Sequence, residues 1–220
     1  MSREQRSFVV VGLGAFGSAV ASELARYGHQ VLGVDSDEKR VSQLAGALGS
    51  ALILDTTDEG ALREAGLDSY DVALVAIGRD IQSSILTTMN LKMLGIDTIW
   101  VKAANRTHHR ILTKLGVDRV ILPEQEMGRH VAEMLNNPVL QDFVNLGNGF
   151  TVVNILVPER FDAKALSALG IGTKHDLRLM GLMRGTEILA HDQPETALKK
   201  GDKLILLGKR ADLRRFADML

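Results

Sequence analysis

The sequence predicts an α/β protein in which a doubly wound parallel sheet is followed by a small α+β domain. From residue 8 to about residue 136, short apolar runs alternate with helical patterns. Repeated strand–helix–strand units of this kind build parallel sheets with helices on both faces. Glycines stand where most of the helical patterns end, as is typical of helix C-termini. The alternation stops at the Asn-Asn-Pro segment 136–138, which breaks the preceding helix.

Six apolar runs are predicted to form the sheet of the first domain, which is assigned to residues 1–136. Several are almost continuously apolar, as expected of strands covered on both faces. Trp100 lies within the fifth run and is expected in the core. The predicted strands span 8–11, 30–34, 51–54, 72–76, 98–102 and 119–122. The predicted helices span 16–27, 38–47, 81–94, 106–115 and 124–135.

The second domain, assigned to residues 137–220, has a different pattern. A Gly-Asn-Gly turn signal at 147–149 precedes an apolar run, and Arg-Gly-Thr at 184–186 separates two further runs that are typical of a β-hairpin. We therefore expect strands over 150–157, 177–183, 187–190 and 204–207. Helices are expected over 162–169 and 211–220.

Composition excludes several classes of function. The net charge is -1, whereas nucleic-acid binding favours a basic face, so no nucleic-acid partner is expected. The chain has no cysteine, which excludes disulfides and thiolate metal sites. No apolar run approaches the roughly 18 residues of a membrane span, so any role at a membrane is expected to depend on a partner.

A glycine motif carries the strongest chemical signal. Gly12, Gly14 and Gly17 follow the first predicted strand and open a helix. In a GxGxxG motif the first glycine permits a tight turn, the second lets a diphosphate approach the backbone, and the third lets helix and strand pack. Asp35 ends the second predicted strand, 18 residues after Gly17, where a carboxylate can accept the ribose hydroxyls. By itself Asp35 could be a helix cap ahead of Glu38, but together these residues predict a nucleotide site.

Longer segments add a family resemblance. They read FVVVGLGAFG, HQVLGVDSDEKRV, SYDVALVAIG, IQSSILTT, IWVKA and DRVILPEQEMG. In these segments and through the second domain, the chain resembles the KtrA/TrkA family of potassium-transport regulators, which are built from RCK (regulator of potassium conductance) domains. The resemblance implies a Rossmann-like N-domain and a small RCK C-domain.

The resemblance also implies a function. It points to a non-enzymatic, cytoplasmic regulatory subunit that binds ATP or ADP, or alternatively NAD(H). Dimers are expected to assemble into an octameric ring under a KtrB/TrkH-like membrane potassium transporter, with the chain attached to the membrane only through that partner.

Carried over by position, the resemblance assigns roles to residues that follow successive strands. Asp35 holds the ribose, while Asp55 and Thr56 border the adenine. Ala76 and Ile77 line the base and ribose. The phosphates lie against the glycine loop, whose residues are Gly12, Leu13, Gly14, Ala15, Phe16 and Gly17.

Two charged residues complete the implied site. Lys102 ends the fifth strand near the nucleotide, and Glu124 is expected to bind Mg²⁺ or Ca²⁺ beside the γ-phosphate at a dimer interface. Each has a simpler interpretation: Lys102 can extend from a strand end toward solvent, and Glu124 can complement a helix dipole. The adjacent His108 and His109 do not share a helix face, so they are interpreted as solvated or interface residues rather than metal ligands.

The chain departs from the family pattern at two positions. Relatives usually carry Arg at the fourth position of the glycine motif, where it reaches the terminal phosphate, but this chain has Ala15. Discrimination of ATP from ADP by that contact is therefore in doubt. Some relatives bind cyclic di-AMP between their C-domains through a basic residue near a position aligned with Gly172. Because this chain lacks a basic residue there, cyclic di-AMP is left as an open alternative among the ligands.

Two other functions are weighed against the gating subunit. An RCK regulator of a different client, such as another cation channel or a cation–proton antiporter, would share the same motifs. An NAD-dependent oxidoreductase would share the fold, but it needs a proton donor facing the nicotinamide. The small second domain offers no evident donor with a carboxylate partner.

Overall fold

A computed structural model describes residues 5–189 and 195–220. The chain forms two compact units that divide between Gln125 and Glu126. The domain boundary expected after residue 136 coincides with the end of a helix, α6 (Pro123–Asn136), and it stays a prediction.

The first unit is built on a six-stranded parallel sheet with the strand order β3-β2-β1-β4-β5-β6. The sequence order reverses between β1 and β4, which lie side by side at the centre. This is the strand order of a Rossmann fold, so the predicted fold class is confirmed for this unit. The strands are β1 (Ser7–Val11), β2 (Gln30–Asp35), β3 (Gly49–Ile53), β4 (Val72–Val75), β5 (Thr98–Lys102) and β6 (Arg119–Ile121).

Helices of the first unit begin at residues that favour helix N-termini. Asp37, Asp58, Asp80 and Asn105 each accept a backbone N–H of the following helix, the usual role of such caps. The helices are α1 (Ala15–Arg26), α2 (Glu38–Leu48), α3 (Glu59–Glu64), α4 (Ile81–Met93) and α5 (Arg106–Lys114).

The second unit contains a five-stranded antiparallel sheet with the order β10-β9-β11-β8-β7. Alternate residues of β8 and β11 are buried, and they form one core with the C-terminal helix, which contributes Leu213 and Phe216. The elements are β7 (Leu140–Gly147), β8 (Phe150–Leu156), α7 (Ile171–Lys174), β9 (Arg178–Arg184), β10 (Glu187–Leu189), β11 (Lys203–Lys209) and α8 (Arg210–Met219).

Several sequence expectations need correction. The helix expected over 162–169 is wrong, because a short 3-10 turn spans Leu166–Leu169 and ends where Gly170 adopts a left-handed conformation. Strand β7 and helix α3 were not predicted. Trp100 was expected in the core, yet it is 38% exposed and lies beside the guanidinium of Arg119. The last residue of the predicted strand 187–190 lies outside the described residues.

Within the described residues, no helix has the length and apolar composition needed to cross a membrane.

Candidate nucleotide-binding site

The predicted site residues all lie at one edge of the parallel sheet. The glycine loop follows β1, Asp35 ends β2, and Asp55 comes shortly after β3. Ile77 follows β4, and Lys102 ends β5. The carboxyl ends of parallel strands meet at one edge, and ligands of open α/β sheets bind there, at the point where the strand order reverses. The fold therefore brings these residues to the edge where a nucleotide would bind.

The three glycines of the loop meet three different requirements. Gly12 has a φ of +92°, and a Cβ there would lie 3.0 Å from the backbone of Ala76 and Ile77. A Cβ on Gly17 would lie only 1.9 Å from the carbonyl oxygen of Gly12. A Cβ on Gly14 would meet nothing within 4 Å. Gly12 and Gly17 are thus needed for the fold, whereas Gly14 borders open space where a phosphate could approach the backbone.

The first turn of α1 differs from that of the next four helices. Helices α2 to α5 each donate a backbone N–H to the side-chain oxygen of an Asp or Asn at the N-cap. Helix α1 begins after Gly14, which has no side chain to cap it, and Ala15 in its first turn is exposed. The N–H groups there carry partial positive charge and fit the phosphate of a nucleotide.

Asp35 connects the second strand to the glycine loop. Its side chain is buried, and Oδ2 accepts a hydrogen bond of 2.7 Å from the N–H of Leu13. Oδ1 accepts one of 2.9 Å from the N–H of Asp37. The guanidinium of Arg40 lies 3.3 Å from Oδ2. Oδ1 accepts only the bond from Asp37 and retains a further lone pair, so Asp35 can hold the loop through Oδ2 and still accept a ribose hydroxyl through Oδ1.

Arg40 was not identified from the sequence. It lies five residues after Asp35, an exposed position in helix α2 that resembles any solvated arginine. Only the folded chain shows its contact with the Asp35 carboxylate.

The segment after β3 is held by helix α4. Thr56 is buried, and its hydroxyl shares a hydrogen bond of 2.7 Å with that of Thr87. The amide of Asn90 donates to the carbonyl oxygens of Thr56 and Thr57. Asp55 stays exposed, and hydrogen bonds from the hydroxyl and N–H of Thr57 lower the pKa of its carboxyl group. Asp55 is therefore the charged group that this segment presents, while Thr56 is engaged with α4.

Lys102 and Glu124 form an ion pair. The Lys102 side chain is 12% exposed and that of Glu124 is 67% exposed. The ammonium nitrogen lies 5.8 Å from the ring centroid of Phe16 in the glycine loop, and a Cβ on Gly78 would lie 3.2 Å from it. The hydrogen bond from Lys102 lowers the pKa of the Glu124 carboxyl group. The structure thus places a cation beside the glycine loop and pairs it with the residue expected to bind a metal ion.

A preformed metal centre is not present in the part of the chain that the structure describes. No group of three or more His, Asp or Glu side chains there is arranged to hold an ion. Glu124 contributes one carboxylate, so a divalent cation would need further oxygen ligands from elsewhere, such as phosphates.

The histidines of α5 do not behave alike. His108 was expected to be solvated or in an interface, but it is fully buried, and its Nδ1 accepts from the N–H of Ala104. Burial lowers the pKa of its imidazole. His109, in contrast, interacts with Thr113, whose hydroxyl donates to the His109 carbonyl oxygen and lies 3.4 Å from the ring Nδ1. His108 is therefore an interior residue that binds the segment preceding α5.

In the second unit, Gly172 lies within the short helix α7. Cyclic di-AMP therefore stays an open alternative as a ligand of this unit, as it was from the sequence.

Comparison with known families defines the class of protein. Residues 8–123 match the TrkA-N domain family, and residues 150–220 match the TrkA-C domain family. The chain therefore belongs to the TrkA family, and the resemblance noted from the sequence motifs is confirmed.

Individual relatives specify the branch of this family. The chain is 38% identical to the Ktr system potassium uptake protein A of Vibrio alginolyticus, over 97% of both chains. It is 35% identical to the protein of the same name from Bacillus subtilis (strain 168), over 97% of this chain and 96% of the relative. These two alignments include both domains.

Solved structures support the fold. The GsuK channel bound to NAD matches with a TM-score of 0.65 at 15% identity, covering 97% of this chain and 39% of the channel chain. At this identity the similarity shows the two-domain fold and not a ligand.

Proposed function

We propose that the chain is a regulatory subunit that gates a membrane potassium transporter in response to a bound nucleotide. Its relatives over nearly their whole length are potassium uptake proteins of Ktr systems. The observation that carries the nucleotide part is the loop at the β1–β4 reversal, where Gly14 faces open space and Asp35 ends the neighbouring strand. A regulator of an antiporter or of another channel is not favoured by these relatives.

ATP or ADP, or alternatively NAD(H), is the proposed ligand. The N–H groups at the start of α1 would bind the phosphates, and Asp35 would accept the ribose hydroxyls. Asp55 and the backbone of Thr56 would border the base on one side, with Ala76 and Ile77 on the other. These nucleotides differ in the negative charge of their phosphates, and we propose that the site distinguishes them by that charge.

A divalent cation is proposed as a second ligand, because Mg²⁺ and Ca²⁺ accept both carboxylate and phosphate oxygens. Glu124 is the carboxylate that would contribute, and the ammonium of Lys102 competes with the cation for it.

Gating requires that nucleotides distinguish two states of an assembly, since equal affinity for both states shifts nothing. Moving an equilibrium from 1:99 to 99:1 takes roughly 5.5 kcal/mol of differential binding. A closed homo-oligomer, proposed here as an octameric ring of dimers under a KtrB/TrkH-like subunit, divides that requirement among its copies. Each site then needs only a small preference. Regulation of this kind needs no chemical step, so we propose that the chain is not an enzyme.

Calorimetry tests the nucleotide proposal. We expect the parent protein to bind ATP, ADP or NADH. Asp35→Ala is expected to weaken the binding of each ribonucleotide by about 1.5–3 kcal/mol, because a hydrogen bond to a charged group is lost. Asp37→Ala is the matched control, since Asp37 is an acidic neighbour that caps α2. It is expected to change nucleotide affinity little. Parent protein that binds none of these nucleotides would overturn the proposal.

Selectivity at the ribose offers a second test. NADPH is expected to bind more weakly than NADH, because its 2′-phosphate would approach the carboxylate of Asp35. Arg40 partly offsets that charge, so Arg40→Gln is expected to widen the difference. NADPH as the tightest ligand would exclude Asp35 as the ribose acceptor.

The partner proposal needs a membrane assay. Potassium flux through the transporter encoded by the same genome, reconstituted in proteoliposomes, is expected to change when this chain and ATP are added together. If the chain neither copurifies with this transporter nor changes its potassium flux, the proposed partner is wrong and another membrane protein is the client.

A further inference from the structure

Lys102 occupies an unusual position for a lysine. Its stem is largely buried at the end of β5, and its ammonium lies near the Phe16 ring and beside Gly78. The distance to the Phe16 centroid is within the range of a cation–π contact. Three segments of the sheet edge thus hold one positive charge next to the glycine loop.

Glu124 is the anionic partner of that charge. Its carboxylate is mostly exposed, whereas the ammonium is mostly enclosed. Because an enclosed charge is costly to leave unpaired, the ammonium requires an anionic partner, and that partner can be another anion that reaches it in place of the exposed Glu124 carboxylate. A phosphate is a suitable replacement, because it carries more charge and more acceptor oxygens than a carboxylate.

The glycine loop itself is short of positive charge. Ala15 supplies none, and the N-terminus of α1 provides only about half an elementary charge. Arg79 lies on the same edge, two residues after Ile77, but it is exposed and forms no ion pair among the described residues. Among the residues that the structure describes, Lys102 is the cation with a contact to a side chain of the loop, the ring of Phe16.

We propose that Lys102 and Glu124 form an exchangeable ion pair, in which the ammonium leaves Glu124 for the outermost phosphate of a bound nucleotide. Lys102 then performs the charge recognition that position 15 cannot. This inference rests on the proposed nucleotide site and names the residue that reads phosphate number there. The exchange also frees Glu124, at the start of α6, to bind a divalent cation.

Affinity for a phosphate series tests the role of Lys102. In EDTA, Lys102→Gln is expected to lower the affinity for the nucleotide whose outermost phosphate reaches the ammonium, ATP or ADP, by about ten- to a hundredfold. This loss corresponds to one charge-assisted hydrogen bond. AMP is expected to change less than about threefold. Lys102→Arg is expected to restore most of the discrimination, because the charge is kept.

Arg79→Gln is the matched control, since it removes one positive charge from the same edge without touching the ion pair. It is expected to reduce ATP affinity less than about threefold. Equal losses in Lys102→Gln and Arg79→Gln would mean that only the general field of the edge matters, and would overturn the proposal. Equal losses for ATP and AMP in Lys102→Gln would overturn it as well.

A double-mutant cycle tests the exchange. Glu124→Gln releases the ammonium, so in EDTA it is expected to raise ATP affinity by about threefold or more when Lys102 is present. In the Lys102→Gln background the same change is expected to have a clearly smaller effect, because no ammonium remains to be released. Equal effects in both backgrounds would show simple repulsion and would reject the exchange.

Two readouts separate failure of this inference from other failures. If parent protein binds no nucleotide, the proposed function fails. If it binds ATP and AMP and the variants show no coupling, only the exchange fails. Unfolding of each ligand-free variant, followed by Trp100 fluorescence, confirms that the variants are folded.

Discussion

The two units handle buried polar groups differently. Among the described residues, six polar side chains are buried in the first unit and two in the second. In the first unit they lie in β2, after β3 and in helices α4 and α5; they are Asp35, Thr56, Ser84, Thr87, Thr88 and His108. In the second they are Thr151 and Asp202. Burying such groups is costly unless they are paired.

The pairings show what each unit gains from its buried groups. Asp35 accepts a hydrogen bond from the glycine loop, and Thr56 shares one with Thr87 of helix α4. Asp202 accepts two hydrogen bonds from Arg184 and one from the N–H of Lys199, all within its own unit. In the first unit these bonds connect strand ends to the glycine loop and to α4, whereas in the second unit they connect β9 to the segment before β11.

The largest effect is expected at Gly17. Gly17→Ala forces a methyl group into the Gly12 carbonyl, and overpacking against backbone is expected to destabilise the first unit by about 3 kcal/mol or more, the upper end for such changes. Urea unfolding followed by Trp100 fluorescence measures it, because the single tryptophan lies in this unit.

Gly14→Ala is the control for Gly17→Ala. Its added methyl group meets open space, so stability should stay within about 1 kcal/mol of the parent, the range of ordinary surface changes. Nucleotide affinity should nevertheless fall, because the methyl group occupies the approach to the backbone. A Gly14→Ala protein with unchanged nucleotide affinity would argue against a phosphate at this loop.

A smaller effect is expected in the second unit from Asp202→Asn. The change removes a charged acceptor from Arg184, and is expected to cost about 1.5–3 kcal/mol. Hydrogen–deuterium exchange should rise in peptides from β9 and β11 and stay unchanged in β1 and β2. Nucleotide affinity is expected to match that of the parent. Equal loss of protection in both units would show that they do not unfold separately.

The smallest effects concern pH. In both units stability is expected to fall as the pH falls, but over a different pH range in each unit. Burial lowers the pKa of His108, so its stabilising contribution is complete above the unfolded pKa of about 6.5 and declines as pH falls, by at most about 1.4 kcal/mol per pH unit. Burial raises the pKa of Asp202, but the bonds from Arg184 and Lys199 outweigh it and the net pKa is lowered. Its contribution is complete above about pH 3.9 and is lost below that.

Unfolding measured between pH 8 and pH 4 tests this order. The first unit is expected to weaken from about pH 6.5 downward, and His108→Gln is expected to remove part of that slope. The second unit is expected to stay protected from exchange until the pH approaches 4. A first unit whose stability does not change between pH 7 and pH 5 would contradict the role given to His108.

The amino-acid sequence by itself determined the features that depend on local chemistry. The glycine spacing predicts the loop after β1, because a positive φ at Gly12 and a close approach at Gly17 exclude other residues. Apolar runs predict the six parallel strands, since the periodicity of burial is local. The position of Asp35 at the end of its strand follows from the same pattern, and the first domain was predicted almost element by element.

Tertiary structure decided which side chains meet. Glu124 lies 22 positions from Lys102, and the hydroxyls of Thr56 and Thr87 join across 31 positions. The edge strand β7 lacks a clear alternation and is defined by its pairing with β8. Contacts between distant residues leave no local signature, because the residues next to a lysine in the sequence do not show whether its ammonium contacts a distant side chain or only solvent. The ion pair beside the glycine loop is therefore a property of the folded chain alone.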